Sequence, residues 1–182
     1  MDRLAGLGVV TEREETFDDS HIIEVSPTFV YEAEDSIVPS PFRLGALWTS
    51  TAPDHALLVL QYRSSTSSTI HSGEDLYTSF ERLDVNIDDD IRRFDATRTS
   101  LSDSGVNSVS RSIDTESRAS VIVPLDYLET MVSAEDVRIR IISSSGYADS
   151  LFHIERSAAG SRAAKSAISE FLSRVNDRRK TI

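Results

Sequence analysis

No cysteine occurs in the 182 residues. That absence excludes disulfides, thiolate zinc sites, iron–sulfur clusters and cysteine nucleophiles together. Glycine and proline are sparse, at 7 and 5, which excludes collagen-like and proline-rich disordered chains. The glycines never cluster beyond Gly6-Leu7-Gly8, so a phosphate-cradling loop is missing. Neither G-x-S-x-G nor S-x-x-K occurs. No apolar run approaches the roughly 18 residues of a membrane-spanning helix, so no transmembrane segment is expected. Basic charge is in deficit as well. Nineteen Lys and Arg face 30 Asp and Glu, for a net charge of −11. A surface of that sign disfavours nonspecific binding to nucleic acid or anionic lipid, and neither is expected as a partner.

What is present is a chain with 39% hydrophobic and 27% charged residues, long enough for one domain with a real core. Residues 1–182 are read as a single domain, with 1–20 irregular or peripheral and 176–182 a tail. The dominant hydrophobic period is two. His21 to Ser26 reads as a strand, and Pro27 before Thr28 to Glu32 predicts a bend or an edge position. Phe42, Leu44, Ala46 and Trp48 share one strand face. Ala56 to Tyr62 is continuously apolar, the pattern of a central strand covered on both faces. Thr51-Ala52-Pro53-Asp54 supplies a hairpin turn between those two strands. Leu83, Val85 and Ile87 alternate on another strand, and Ile91 to Ala96 returns beside it.

Residues 99–120 are rich in Ser and Thr and read as a loop followed by an edge strand bearing Val109, Arg111 and Ile113. Ala119, Val121 and Val123 point inward from the next strand, and Pro124 opens a short helix over about 124–133. Val137, Ile139 and Ile141 line a further strand, which Ser150 to Glu155 pairs back upon. Ala164, Ile168, Phe171, Leu172 and Val175 form one amphipathic face, predicting a C-terminal helix over about 160–176. Together these predict a mainly β, antiparallel sandwich or open barrel with two helices. The closing helix is expected to cap an open end or cover a sheet edge.

Two constellations carry the candidate chemistry. Asp84, Asn86, Asp88, Asp90 and Asp95 place oxygen ligands at a spacing that resembles an EF-hand calcium loop. Asp89 stands where the loop's Gly would be and Asp95 where its bidentate Glu would be, and Val85 and Ile87 look like strand. The competing expectation is a hairpin turning at Asp88 to Asp90 with its charges in water. Arg138 and Arg140 project from one strand face and could clamp a carboxylate or phosphate; otherwise they form a solvated face paired across to Glu155. The histidines His21, His55, His71 and His153 show no ligand spacing. His71, Ser72 and Asp75 are the residue types of a catalytic triad, but adjacency in sequence is not convergence in space. Trp48, the single tryptophan, is expected in the core. No cofactor is expected.

The N-terminal stretch Leu4 to Val10 is short, is interrupted by glycines and is followed by acidic residues, so it does not read as a secretory signal. Leu4-Ala5-Gly6 is similar to the tripeptide before the lipid-bearing cysteine of bacterial lipoproteins, except that Leu7 follows. Phe42 to Trp48 and Val123 to Leu128, the latter followed by Asp136 to Ile141, resemble uncharacterised bacterial cell-envelope, lipoprotein-like β-sandwich proteins. That resemblance implies an envelope or periplasmic location for the mature chain rather than an activity. The expected function is a non-enzymatic structural or protein-interaction module with a protein partner, homo-oligomerisation being left open. The alternative is a small-ligand or lipid carrier with a pocket between the sheet and the C-terminal helix, an arrangement similar to helix-grip and pleckstrin-like folds.

The basic residues comprise 17 Arg and only Lys165 and Lys180, and Asp outnumbers Glu 17 to 13. This composition resembles that of halophile proteins, although a GC-rich genome also favours Arg over Lys. A surface at −11 repels itself in dilute buffer, and about 1 M salt shortens the Debye length to about 3 Å and removes that cost. Melting temperature is therefore expected to rise steadily from low-salt buffer to molar KCl. A flat response in a thermal melt would assign the arginine bias to base composition instead.

Overall fold

The longest apolar run becomes the longest strand pair. In a computed structural model that describes residues 6–30, 42–67, 76–106, 112–153 and 163–181, the strands are β1 (Val10–Glu14), β2 (His21–Phe29), β3 (Phe42–Thr49), β4 (His55–Ser67), β5 (Phe80–Ile87), β6 (Asp90–Asp95), β7 (Ser100–Val106), β8 (Ser112–Pro124), β9 (Val137–Ser143) and β10 (Gly146–Leu151). Two helices, α1 (Leu125–Ser133) and α2 (Ala164–Arg179), complete the described elements. β4 and β8 run antiparallel through thirteen residue pairs, from His55 opposite Pro124 to Ser67 opposite Ser112.

Around that pair the strands form two antiparallel sheets. One has six strands in the order β1-β2-β3-β4-β8-β7, the other four in the order β10-β9-β5-β6. Alternation decides what each sheet buries. Leu44, Ala46 and Trp48, then Ala56, Leu58 and Leu60, then Ala119, Val121 and Val123 are all buried on one side of the large sheet. Leu83, Val85 and Ile87 with Val137, Ile139 and Ile141 are buried on the small one. The result is a mainly β sandwich, as the period-two pattern predicted.

Four strands cannot cover six. The small sheet lies over β8 through β5 and β6, while α2 lies against β2 and β3. Ile168, Phe171 and Val175 are fully buried there, as is Trp48, whose indole N–H donates to the Pro53 carbonyl at 3.1 Å and closes the β3–β4 turn. α1 follows Pro124 without a break and packs between β8, β4 and α2. Lys165, 4% exposed, donates from Nζ to the Ala134 carbonyl at 2.5 Å, joining the start of α2 to the end of α1. Burial lowers the pKa of that ammonium.

Several expectations need correction. Residues 1–20 are not all peripheral, because β1 pairs with β2 and Val10 joins the core. The C-terminal helix spans 164–179 rather than 160–176, so the expected tail is helical as far as Arg179. Its last turn is held by Arg178 to His21 and Glu12, and by Arg179 to Asp54. The helix covers a sheet face, neither an edge nor an open end. Of the two expectations for Pro27, the bend holds and the edge position does not: β2 lies between β1 and β3, and its register shifts in a bulge between Val25 and Thr28. The Ser-rich edge strand is β7, while Ile113 belongs to the long strand β8. Val109, Arg111, Glu155 and the His71-Ser72-Asp75 grouping lie outside the described residues.

The bulge explains Gly45. A Cβ there would sit 2.6 Å from the Val25 carbonyl oxygen and 3.0 Å from the Pro27 nitrogen, backbone atoms that no rotamer can move. Gly45→Ala should therefore destabilise the fold by about 1–3 kcal/mol, the range for overpacking. Urea denaturation checks this through a lower midpoint at an unchanged slope.

Candidate functional site

The outward positions of the four-stranded sheet fall into three cross-strand rows. Tyr147, Ile142, Arg82 and Asp95 face one another across β10, β9, β5 and β6. Asp149, Arg140, Asp84 and Arg93 form the middle row, and Leu151, Arg138, Asn86 and Ile91 the third. On β5 and β9 the sequence places them outward for a simple reason: each lies one residue from a buried Leu, Ile or Val of the same strand. Those of β6 and β10 join the face through cross-strand register. The two lower rows line a depression of about 540 Å³.

Charge alternates in sign across the middle row. Arg140 grips Asp149 with two parallel bonds, Nε to Oδ1 at 2.5 Å and Nη2 to Oδ2 at 2.7 Å. Its guanidinium also stacks over the Tyr147 ring, 4.4 Å from the centroid. The Arg140 bond holds the Asp149 carboxyl below its ordinary pKa, and the same bond raises that of Arg140. Arg82 takes Asp84 in the same way, at 2.6 and 3.2 Å. Among the described residues Arg138 reaches only Asp136, at 3.5 Å through one nitrogen. Arg93 makes no ion pair among the described residues. Asn86 keeps a buried Oδ1 without a hydrogen-bond partner among the described residues. Three exposed apolar side chains flank this polar centre: Ile91 on β6, and Tyr147 and Leu151 on β10.

Arg138 and Arg140 thus stand on one face, as expected. Asp84 and Asn86 meet them there, which the sequence alone did not indicate. The five residues of the candidate calcium loop are not brought together. Asp84 and Asn86 project from β5, Asp95 lies opposite Arg82, and Asp88 and Asp90 sit at the turn. Asp88 and Asp89 have φ of 49° and 71°, the left-handed pair of a two-residue hairpin turn. An extended hairpin spreads ligands that a coiled loop would gather. Among the described residues no three His, Asp or Glu side chains are grouped as a metal site. Arg140 pairs across the hairpin with Asp149, because the return strand starts at Gly146; the expected partner Glu155 lies outside the described residues. The roles of Arg93, Ile91, Tyr147 and Leu151 were not legible beforehand, since each depends on cross-strand register.

A second polar feature lies on the outer face of the six-stranded sheet. Arg43 and Gln61 are opposite one another on β3 and β4, and each has buried polar atoms without a partner. Arg43 rests over the Phe29 ring at 4.8 Å, and burial lowers its pKa. On the inner side, the space between sheet and α2, where a carrier's pocket would lie, is occupied by the buried side chains of Trp48, Ile168, Phe171 and Val175. No helix among the described residues is long and apolar enough to cross a membrane. Comparison of the chain with known protein families, curated proteins and solved structures finds no match.

The Arg140–Asp149 pair is about half exposed on both sides, so water screens it and its contribution to stability is small. A depressed folded-state pKa means this contribution is present above the ordinary carboxylate value and lost as pH falls through the lowered one. Carboxyl-carbon NMR should find Asp149 titrating below 3.8. In Arg140→Ala it should return to the ordinary range.

Proposed function

We propose that the protein is a non-enzymatic interaction module whose contact surface is the outer face of the four-stranded sheet. The observation that carries this reading is the combination in one register of unspent charge and exposed apolar area. Arg93 has no ion-pair partner among the described residues, Arg138 has one weak contact, and Ile91, Leu151 and Tyr147 stand around them at 54%, 36% and 68% exposure. An apolar rim beside partly paired guanidiniums matches the composition of protein contact surfaces, where Arg and aromatic side chains are enriched.

The chemistry of the face also favours binding over catalysis. Asp84 and Asp149 are each committed to a bidentate arginine, so neither carboxylate is free to act as a general base. Arginine itself holds its proton throughout the working pH range. Of the three described histidines, His21 is engaged with Arg178 on the opposite side of the core, His55 lies at the β3–β4 turn, and His153 is exposed just beyond the end of β10. The envelope location implied by the sequence resemblance is compatible with such a module and is proposed with it.

Native mass spectrometry of protein purified without added ligand or metal tests the reading. The bare chain mass, or a clean multiple of it, is expected. Added mass of a few hundred daltons, lost on activation, would instead favour a small-ligand carrier using the 540 Å³ depression. Replacing Ile91, Arg93 and Leu151 singly by Ser should change stability by no more than about 0.5 kcal/mol each, as for surface positions without structural duty. A larger loss in a chemical melt would make the face structural instead.

A further inference from the structure

We infer that the partner of this face is a second copy of the same chain, related by a two-fold axis parallel to the strands. The inference rests on the reading of the face as a contact surface and goes on to name what meets it. Rotation by 180° about such an axis lays β10 over the partner's β6 and β9 over the partner's β5, each row meeting its own reverse. In the middle row, Asp149 then faces Arg93 and Arg140 faces Asp84. In the third, Leu151 faces Ile91, and Arg138 faces Asn86. In the first, Tyr147 faces Asp95. No position meets a like charge.

The other in-plane two-fold, perpendicular to the strands, has the opposite consequence. It sets every strand over its own copy. Asp149 would then face Asp149, Arg140 Arg140, Asp84 Asp84 and Arg93 Arg93, and like charges directly opposed disfavour association. Of the two axes that overlay all three rows, the row order therefore selects the strand-parallel one. A strand-parallel axis also keeps the two sheets' strand directions aligned, as in ordinary face-to-face sheet packing with the sheets about 10 Å apart. Contact is made by the outer strands, β10 against β6, while the two central depressions are left to water, as is usual for polar interfaces.

Size and charge set the strength. Four strands about 4.8 Å apart and five residues at about 3.4 Å each give a face of roughly 330 Å² per copy. With only the outer strands touching directly, the total is at most about 700 Å², below the roughly 1,200 Å² of stable complexes, so the dimer is weak and reversible. Each copy carries −11, and their mutual repulsion extends over a Debye length of about 30 Å at 0.01 M salt but about 8 Å at 0.15 M. Association should therefore appear at physiological salt and fade in dilute buffer.

Sedimentation velocity at about 0.15 M salt over a concentration series from micromolar to near-millimolar tests this with the full chain. Wild type should shift from monomer to dimer. Arg93→Asp places Asp opposite Asp149, and Asp149→Arg places Arg opposite Arg93, so each variant alone should lose association by at least tenfold. Mixing the two in equal amounts restores both opposed pairs, and native mass spectrometry should show the heterodimer. Arg93→Gln, which removes charge without reversing it, should lose less than Arg93→Asp. A folded mixture that stays monomeric overturns the inference, as does a wild-type dimer indifferent to both reversals. A wild type monomeric throughout overturns it too, yet leaves the face open to a different protein; the broader reading is overturned instead by added small-molecule mass or by a large stability loss on replacing Ile91, Arg93 or Leu151.

Discussion

The pairing of β4 with β8 is the constraint on which the rest of the structure depends. Thirteen consecutive residue pairs make it the longest ladder in the fold. Its inward residues Leu58, Leu60, Val121 and Val123 form the centre of the core, all 0% exposed. At about 25 cal/mol per Å² of apolar surface, burying a side chain of that size contributes roughly 1.5–3 kcal/mol. β3 joins one side of the pair and β7 the other, so the six-stranded sheet is built outward from it. Both ends of the ladder also fix other elements. Pro124, opposite His55, passes directly into α1, whose first N–H donates to the Asp54 carbonyl at 2.9 Å.

A mismatch in width between the two sheets determines the remaining architecture. β5 and β6 cover the β8 side, leaving β2 and β3 with exposed apolar faces unless something else covers them. α2 does so. Its sixteen residues bury Ile168, Phe171, Leu172 and Val175 toward the sheet and leave Arg174 and Glu170 paired in solvent. That helix has no side-chain cap at its N-terminus; its stability comes from packing, which is the usual source for helices of this length. Buried Lys165 fits the same account. The Ala134 carbonyl at the end of α1 would otherwise lack a donor, and the ammonium supplies one while tying the two helices together.

The four-stranded sheet gathers positive charge on one face of a protein with excess negative charge. Its outward rows concentrate Arg82, Arg93, Arg138 and Arg140 in a chain with only 19 basic residues. Two of these are held bidentately and the others are not. Guanidinium is the appropriate cation for such a face because its planar fork pairs with carboxylates in defined geometry and stacks on rings, as Arg140 does on Tyr147. Alternation of sign along a row gives the face a direction. A flat, uniformly charged face would attract any opposite charge, whereas an alternating one discriminates by register.

Much of this organisation was determined by the sequence itself. Period-two patterns at Phe42 to Trp48, Leu83 to Ile87 and Val137 to Ile141 fixed the inward faces, because one-residue alternation admits only one choice when one side must be apolar. The run Ala56 to Tyr62 marked the central strand, and Pro124 marked the helix start. Tertiary structure decided which strands are neighbours. Pairing Asp84 with Arg140 and Arg93 requires residues 84, 93 and 140 to align across three strands. Pairing Arg140 with Asp149 adds the turn at Ser144 and Ser145. Each strand reports its own in-and-out pattern locally, but register is a relation between strands, set by turn lengths and by the packing of both sheets. That is why Arg138 and Arg140 could be singled out in isolation, while the face they share with Asp84, Asn86 and Arg93 exists only once the chain is folded.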